Sequence, residues 1–227
     1  MCGGVCGETS QAMAGLRETF DAVVFDLDGT LWDSAGLCAR SWTAAARAVN
    51  PKLPPVTKDD VGRVMGMQHD RIFRTLFPDL DDSARSALGD ACYERELEAI
   101  RLEGAPLYAD VPEMLPALAA RFPLYLVSNC LAEYLRLFLD GSGVGGHFKD
   151  ALCYGMTNAP KEESLRRLQT KHRFRTPVYV GDTAGDQRAA TGASYTYLHV
   201  DYGFGQPDSE CLRFGDFASV VEFLLTE

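Results

Sequence analysis

Two stretches of this chain end an apolar run in a pair of carboxylates. Ala22-Val23-Val24-Phe25 runs into Asp26-Leu27-Asp28-Gly29-Thr30, and Val178-Tyr179-Val180 runs into Gly181-Asp182, with Asp186 four residues on. Each apolar run is short, rich in valine and aromatic residues, and stopped by a turn residue, which predicts a buried strand rather than a helix. Side chains alternate along a strand, so Asp26 and Asp28 are expected on one side and Leu27 on the other. Carboxylates at a buried strand end are costly unless a cation or a proton neutralises them. A carboxylate cluster without histidine or thiolate suits a hard cation such as Mg²⁺. A third piece is Lys161, which follows Pro160 at the start of a predicted helix. A cation there opposes the helix dipole by a few tenths of a kcal/mol, so an anionic ligand explains it better than solvent does. Ser128 ends another apolar run. These parts make a phosphoryl-transfer site. A carboxylate attacks phosphorus, a metal screens the repulsion, and Ser128, Lys161 and backbone N–H groups meet the phosphoryl oxygens. Asp28 is placed to protonate the leaving oxygen and then deprotonate water.

Such a site needs elements that bring residues 26, 128, 161 and 182 together. A parallel sheet does so, because the carboxyl ends of its strands share one edge, where ligands bind in open α/β sheets. The pattern predicts this α/β class. After the first strand, 33–107 reads as helical only: Ser34 to Asn50, a helix from the capping-box spacing at Thr57 to Asp60, His69 to Phe77, and Ser83 to Arg101. Alternation then begins. Asp110-Val111-Pro112-Glu113 is expected to cap a helix running to Phe122, followed by strand 124–127, helix 131–139 and a strand near 151–154. Helix 160–172, strand 178–180, helix 187–191, strand 195–200 and helix 216–225 complete the chain. Repeated strand–helix units imply a parallel sheet with helices on both faces. The expected division is a flexible leader over 1–17, a core over 18–32 and 108–227, and a small inserted helical module over 33–107.

Bulk properties narrow the function. The chain has 227 residues and a formal net charge of −10, which argues against a nucleic-acid partner. No window approaches a membrane span, and residues 1–11 lack the pattern of a secretory signal. Seven scattered cysteines form no disulfide framework, so a reduced, cytoplasmic protein is expected. Cys2 and Cys6 share a Gly-rich leader without the partners of a metal site. Gly141-Ser142-Gly143-Val144-Gly145-Gly146 matches G-x-G-x-x-G but follows a helix and precedes a strand, so it reads as a helix-end turn. The four histidines, 69, 147, 172 and 199, show no metal-ligand spacing and read as surface or helix-end groups. Cys130 reads as a packing residue.

The ordered set Asp26-Leu27-Asp28-Gly29-Thr30, Ser128, Lys161 and Gly181-Asp182-Thr183-Ala184-Gly185-Asp186 resembles the four motifs of the haloacid dehalogenase-like hydrolases. The resemblance implies a Rossmann-like core with the helical module as a cap. It implies Asp26 as nucleophile and Mg²⁺ ligand, and Asp28 as general acid/base that binds the metal through its backbone carbonyl. Ser128, Asn129, Thr30 and Lys161 match phosphate-binding positions, Asp182 a second metal ligand, and Asp186 a supporting carboxylate at the metal. Asp28 separates this chain from the dehalogenase and phosphonatase branches, which lack it. Asp201-Tyr202-Gly203-Phe204-Gly205 is similar to a loop of phosphoglycolate phosphatase-like members, whereas Ala109-Asp110 departs from their usual Pro-Gly. Gln68, His69 and Arg71, on the turn between cap helices, are either substrate contacts or ordinary polar groups of a helix surface. The expected function is Mg²⁺-dependent hydrolysis of a small phosphorylated metabolite by a monomer or small homo-oligomer. A phosphosugar mutase and a non-catalytic phospho-ligand-binding regulator are the alternatives.

Overall fold

The computed structural model describes residues 20–226, and of Asp70 only the backbone. The leader, with Cys2 and Cys6, lies outside the described residues. Six strands form one parallel sheet: β1 (Ala22–Phe25), β2 (Leu124–Ser128), β3 (Phe148–Cys153), β4 (Pro177–Gly181), β5 (Thr196–Val200) and β6 (Leu212–Phe214). Their spatial order is β3-β2-β1-β4-β5-β6. This is the Rossmann order, with its switch point between β1 and β4. The near-continuous apolar strands follow from burial on both faces. Val23 and Phe25 pack into one core with Leu126, Val178 and Val180, under α5 (Val111–Arg121), α6 (Ala132–Gly141) and α10 (Phe217–Leu225). Ala22 and Val24 face a second core with Val127 and Tyr179, covered by α8 (Lys161–His172) and α9 (Ala184–Gly192).

The segment between β1 and α5 forms four helices: α1 (Ala35–Val49), α2 (Lys58–Val64), α3 (His69–Leu76) and α4 (Asp82–Glu103). They enclose their own apolar cluster, including Cys38, Trp42, Val61, Phe73, Leu88 and Cys92. Helix α2 starts where its sequence says it should: Thr57 and Asp60 close a reciprocal capping box. The module therefore buries a core that the sheet does not supply.

Strand β1 ends at Phe25, and Asp26 and Asp28 line one cavity while taking different partners, described below. Three local expectations need correction. Asp110 does not cap α5 with its side chain; its backbone is left-handed, with φ of 66°. Strand β3 starts at Phe148, and β6 and the single turn α7 (Tyr154–Thr157) had no clear periodic signal. His199 is neither at the surface nor at a helix end. It is fully buried on β5, with Nδ1 bonded to the Tyr197 hydroxyl at 3.0 Å, because burial on both faces of the sheet takes whatever residue the strand carries there. The turn at 141–146 does end α6: Gly143 sits at φ of 79°, and a Cβ on Gly145 would lie 1.9 Å from the Leu139 carbonyl oxygen.

Candidate active site

The switch-point edge of the sheet gathers the carboxylates. Asp26 follows β1 directly, and its N–H donates to the Val180 carbonyl at 2.9 Å, which locks it beside β4. Asp182 follows β4. Asp186 is the third residue of α9, where its Oδ2 accepts from the Thr183 N–H at 3.0 Å and the Thr183 hydroxyl at 2.6 Å. The cap that starts α9 thus also fixes Asp186, and its other oxygen is turned to the site. Lys161, the first residue of α8, points its ammonium between Asp186 Oδ1 at 2.5 Å and Asp26 Oδ1 at 2.9 Å. All four side chains are buried. The opposition of Lys161 to its helix dipole is therefore met, within the chain, by two carboxylates.

Carboxylates outnumber cations here. Burial and the neighbouring Asp186 and Asp28 push Asp26 up to about 7, with Lys161 pulling the other way. Burial, then Asp186 and Asp26, hold Asp182 well above the usual carboxylate range. Burial pulls Lys161 down, but Asp186 and Asp26 outweigh it and keep the ammonium charged. The nearest oxygens of Asp26, Asp182 and Asp186 lie within 4.8 Å of one another. Asp182 Oδ2 accepts from the Phe204 N–H at 2.7 Å, while its buried Oδ1 meets no donor among the described residues. An all-oxygen set with one orphaned buried atom fits a hard divalent cation such as Mg²⁺. Two glycines let backbone press against Asp182. A Cβ on Gly29, itself at φ of 82°, would lie 2.2 Å from Asp182 Oδ2, and one on Gly203 would lie 2.3 Å from the Asp182 Cβ.

Asp28 is held apart from that triad. Its Oδ1 accepts from Trp32 Nε1 at 2.8 Å, the Ser34 hydroxyl at 2.6 Å and the Tyr134 hydroxyl at 2.5 Å. Burial raises its pKa, and the bonds from Ser34, Tyr134 and Trp32 oppose the rise. Its side chain is not among the clustered oxygens, so only its backbone is left for the metal role that the family resemblance implies.

The remaining site residues divide between two cavities. An inner chamber of about 60 Å³ is lined by Asp26, Asp28, Ser128, Asn129 and His69. An open cleft of about 1010 Å³ between cap and core is lined by Lys161, Gln68 and Arg71, together with Arg63, Arg74 and Arg188. Asn129 borders both and donates through Nδ2 to the Gly66 carbonyl at 2.7 Å, across the cleft to the cap. Ser128 Oγ accepts from the Cys130 N–H at 3.3 Å. Thr30 is fully buried and lines neither cavity; its carbonyl accepts from the Tyr202 hydroxyl at 2.8 Å. The sequence did not single out Trp32, Ser34 or Tyr134 as partners of Asp28, nor the Phe204 N–H on Asp182. The first two stand only four and six residues from Asp28 and were within local reach. Tyr134 comes from α6 and was not.

The model of the haloacid dehalogenase-like hydrolases matches residues 23–200 of this sequence. The chain belongs to that family. It is 31% identical to a phosphoglycolate phosphatase of Vibrio vulnificus, over 85% of this chain and 90% of that protein. It is also 31% identical to a phosphoglycolate phosphatase of Rhodospirillum rubrum, over 89% and 90%. Among solved structures it resembles a predicted phosphoglycolate phosphatase from Haemophilus somnus, with a TM-score of 0.78 and 23% identity, covering 90% of this chain and 97% of that one. A predicted phosphatase from Clostridium acetobutylicum superposes with a TM-score of 0.74 at 16% identity, over 91% and 98%. These two likenesses carry the fold alone. The family match and the curated relatives place the chain in the phosphoglycolate phosphatase-like branch, as a phosphatase. Among the described residues no helix is long and apolar enough to cross a membrane.

Proposed function

We propose that the protein hydrolyses a small phosphorylated metabolite through an aspartyl phosphate on Asp26, with Mg²⁺ as cofactor. One observation carries this reading: Asp26, Lys161, Asp182 and Asp186 converge at the switch point while the Asp28 carboxyl is held by its own donors. Asp26, Asp182 and Asp186 would hold the metal, with the Asp28 carbonyl, and bound Mg²⁺ supplies the positive charge that lets a carboxylate approach a phosphoryl group. Lys161 fixes the Asp26 carboxylate and offers its ammonium to the phosphoryl oxygens, as do Ser128 and Asn129. Asp26 Oδ attacks phosphorus, and the bond to the leaving oxygen breaks. Asp28 gives that oxygen its proton. The three donors on Asp28 converge on Oδ1, which leaves Oδ2 for the proton. The ionised Asp28 then takes a proton from water, which attacks the aspartyl phosphate and frees Asp26.

We further propose that residues 33–107 act as a cap that closes over the nucleophile and excludes water. The small inner chamber supports hydrolysis of a compact ester over a phosphosugar mutase, whose sugar it would not hold. The three donors fixing Asp28 support catalysis over passive ligand binding, which has no use for an oriented acid. The names of the curated relatives make 2-phosphoglycolate the first ester to assay. Phosphate release from a panel of small esters is expected to need Mg²⁺ and to fall at least 10³-fold in Asp26→Asn, whose amide cannot attack. Full activity in that variant would overturn the mechanism.

A further inference from the structure

The loop that covers Asp182 also reaches the cap. Residues 201–205 follow β5 and hold several parts of the molecule at once. The Phe204 N–H donates to Asp182 Oδ2 at 2.7 Å, and it is the one donor that the Asp182 carboxylate meets among the described residues. The Tyr202 hydroxyl donates to the Thr30 carbonyl at 2.8 Å, and its ring centre lies 4.6 Å from that of Tyr108. Thr30 and Tyr108 flank the two crossings between core and cap. There the Asp33 N–H donates to the Pro106 carbonyl at 2.8 Å, and the Tyr108 N–H to the Leu31 carbonyl at 3.0 Å. The loop is thus tied to the base of the cap as well as to the triad.

The Phe204 side chain extends the tie into the cap itself. Its ring packs against the apolar cluster of the cap, whose other members among the described residues all come from 35–92. One edge of the ring approaches Gly62 of α2, where a Cβ would lie 3.7 Å from Cδ1. The other edge approaches Gly29, beside Asp28, where a Cβ would lie 2.7 Å from Cδ2. A ring wedged between two stretches of backbone has few staggered alternatives, so its seat fixes the direction of its own N–H. If the cap lifts, the ring loses its apolar cover, and the loop loses the contact that aims this N–H at Asp182. One residue therefore joins the triad, through its backbone, to the cap, through its side chain.

We infer that Phe204 is a positioning residue: its ring, seated on the cap, holds its N–H on Asp182, so that docking of the cap sets the affinity of the core for its divalent cation. This rests on the reading of Asp26, Asp182 and Asp186 as the cation site. The coupling is reciprocal, so a bound cation favours the docked cap by the same factor. Metal site and cap then respond to each other without any side chain of the cap touching the metal ligands.

Calorimetric titration of the full chain with Mg²⁺, without substrate, tests it. Phe204→Ala keeps the N–H and removes the ring. Its Kd for Mg²⁺ is expected to rise about tenfold, the effect of losing a group that orients a metal ligand. Phe204→Met refills the space with a flexible apolar side chain and is expected to return the Kd to within about twofold of wild type. Loss of packing alone would lower Tm in chelator and leave the Kd of the folded protein unchanged. An unchanged Kd in Phe204→Ala overturns the inference, as does a Kd in Phe204→Met as weak as that of Phe204→Ala. Should Phe204→Ala not fold, Gly62→Leu decides alone. It displaces the ring from the cap side, at a helix position where leucine is a better helix former than glycine, and is expected to raise the Kd at least about threefold. An unchanged Kd there overturns the inference. If wild type binds no Mg²⁺, the cation site read from the triad fails by itself, and the inference falls with it.

Discussion

Replacing Asp182 by asparagine should stabilise the metal-free protein and abolish its response to Mg²⁺. Asp182 Oδ1 is buried without a donor, and the oxygens of Asp26 and Asp186 lie within 4.8 Å. At an effective dielectric of about 20, two unit charges 4.8 Å apart repel by about 3.5 kcal/mol. Asp182 faces two such neighbours, and Lys161, which touches both, offsets roughly one of them. Partial protonation relieves some of the remainder, so Asp182→Asn is expected to gain about 1–3 kcal/mol near pH 8. For a chain of this size that is a rise of about 3–10 °C in Tm. The amide oxygen can still accept from the Phe204 N–H, so the loop that covers Asp182 keeps its anchor. Thermal unfolding in chelator and in millimolar Mg²⁺ is the assay. Wild type should gain stability with Mg²⁺ by binding linkage, and the variant should gain little. The sign of the pH effect follows from the same groups. Asp182 is held well above its ordinary value and Asp26 at about 7, so the folded state binds more protons than the unfolded one. Metal-free wild type should therefore lose stability as pH rises through 7, and the advantage of the variant should shrink as pH falls. A metal-free Tm below that of wild type, or an undiminished Mg²⁺ response, would refute the electrostatic account of the triad.

Two further substitutions probe the same site. Gly29→Ala places a Cβ 2.2 Å from Asp182 Oδ2 at a φ of 82°, so it should lower stability by about 1–3 kcal/mol and phosphate release by at least tenfold, read by Tm and by steady-state kinetics. Asn129→Ala removes the hydrogen bond to the Gly66 carbonyl that ties core to cap; KM should rise several-fold, with Tm changed by no more than the ~1 kcal/mol such a bond contributes.

The strands and the grammar of their ends are legible in the residues alone. Period and composition placed β1, β2, β4 and β5, because a strand buried on both faces must be a short apolar run. Once those strands are parallel, their carboxyl ends share an edge, so Asp26, Asp182 and Lys161 were candidates for one site although far apart in the chain. Capping chemistry is equally local: Thr57 and Asp60 sit three residues apart and need no distant partner. Tertiary structure decided what depends on contacts between remote segments. Within one chamber Asp26 meets Lys161 while Asp28 meets Trp32, Ser34 and Tyr134. Gln68 and Arg71 fall in the outer cleft and His69 on the inner wall, a division that one turn of sequence does not encode. His199 reads as an ordinary polar residue until the sheet buries it. Glu96 reads as one charge on a helix rich in charges until α4 packs against α1 and brings it to Cys38 and Trp42. Local spacing fixes which way a side chain leaves its own element. What it then meets is set by the packing of elements that lie tens of residues away.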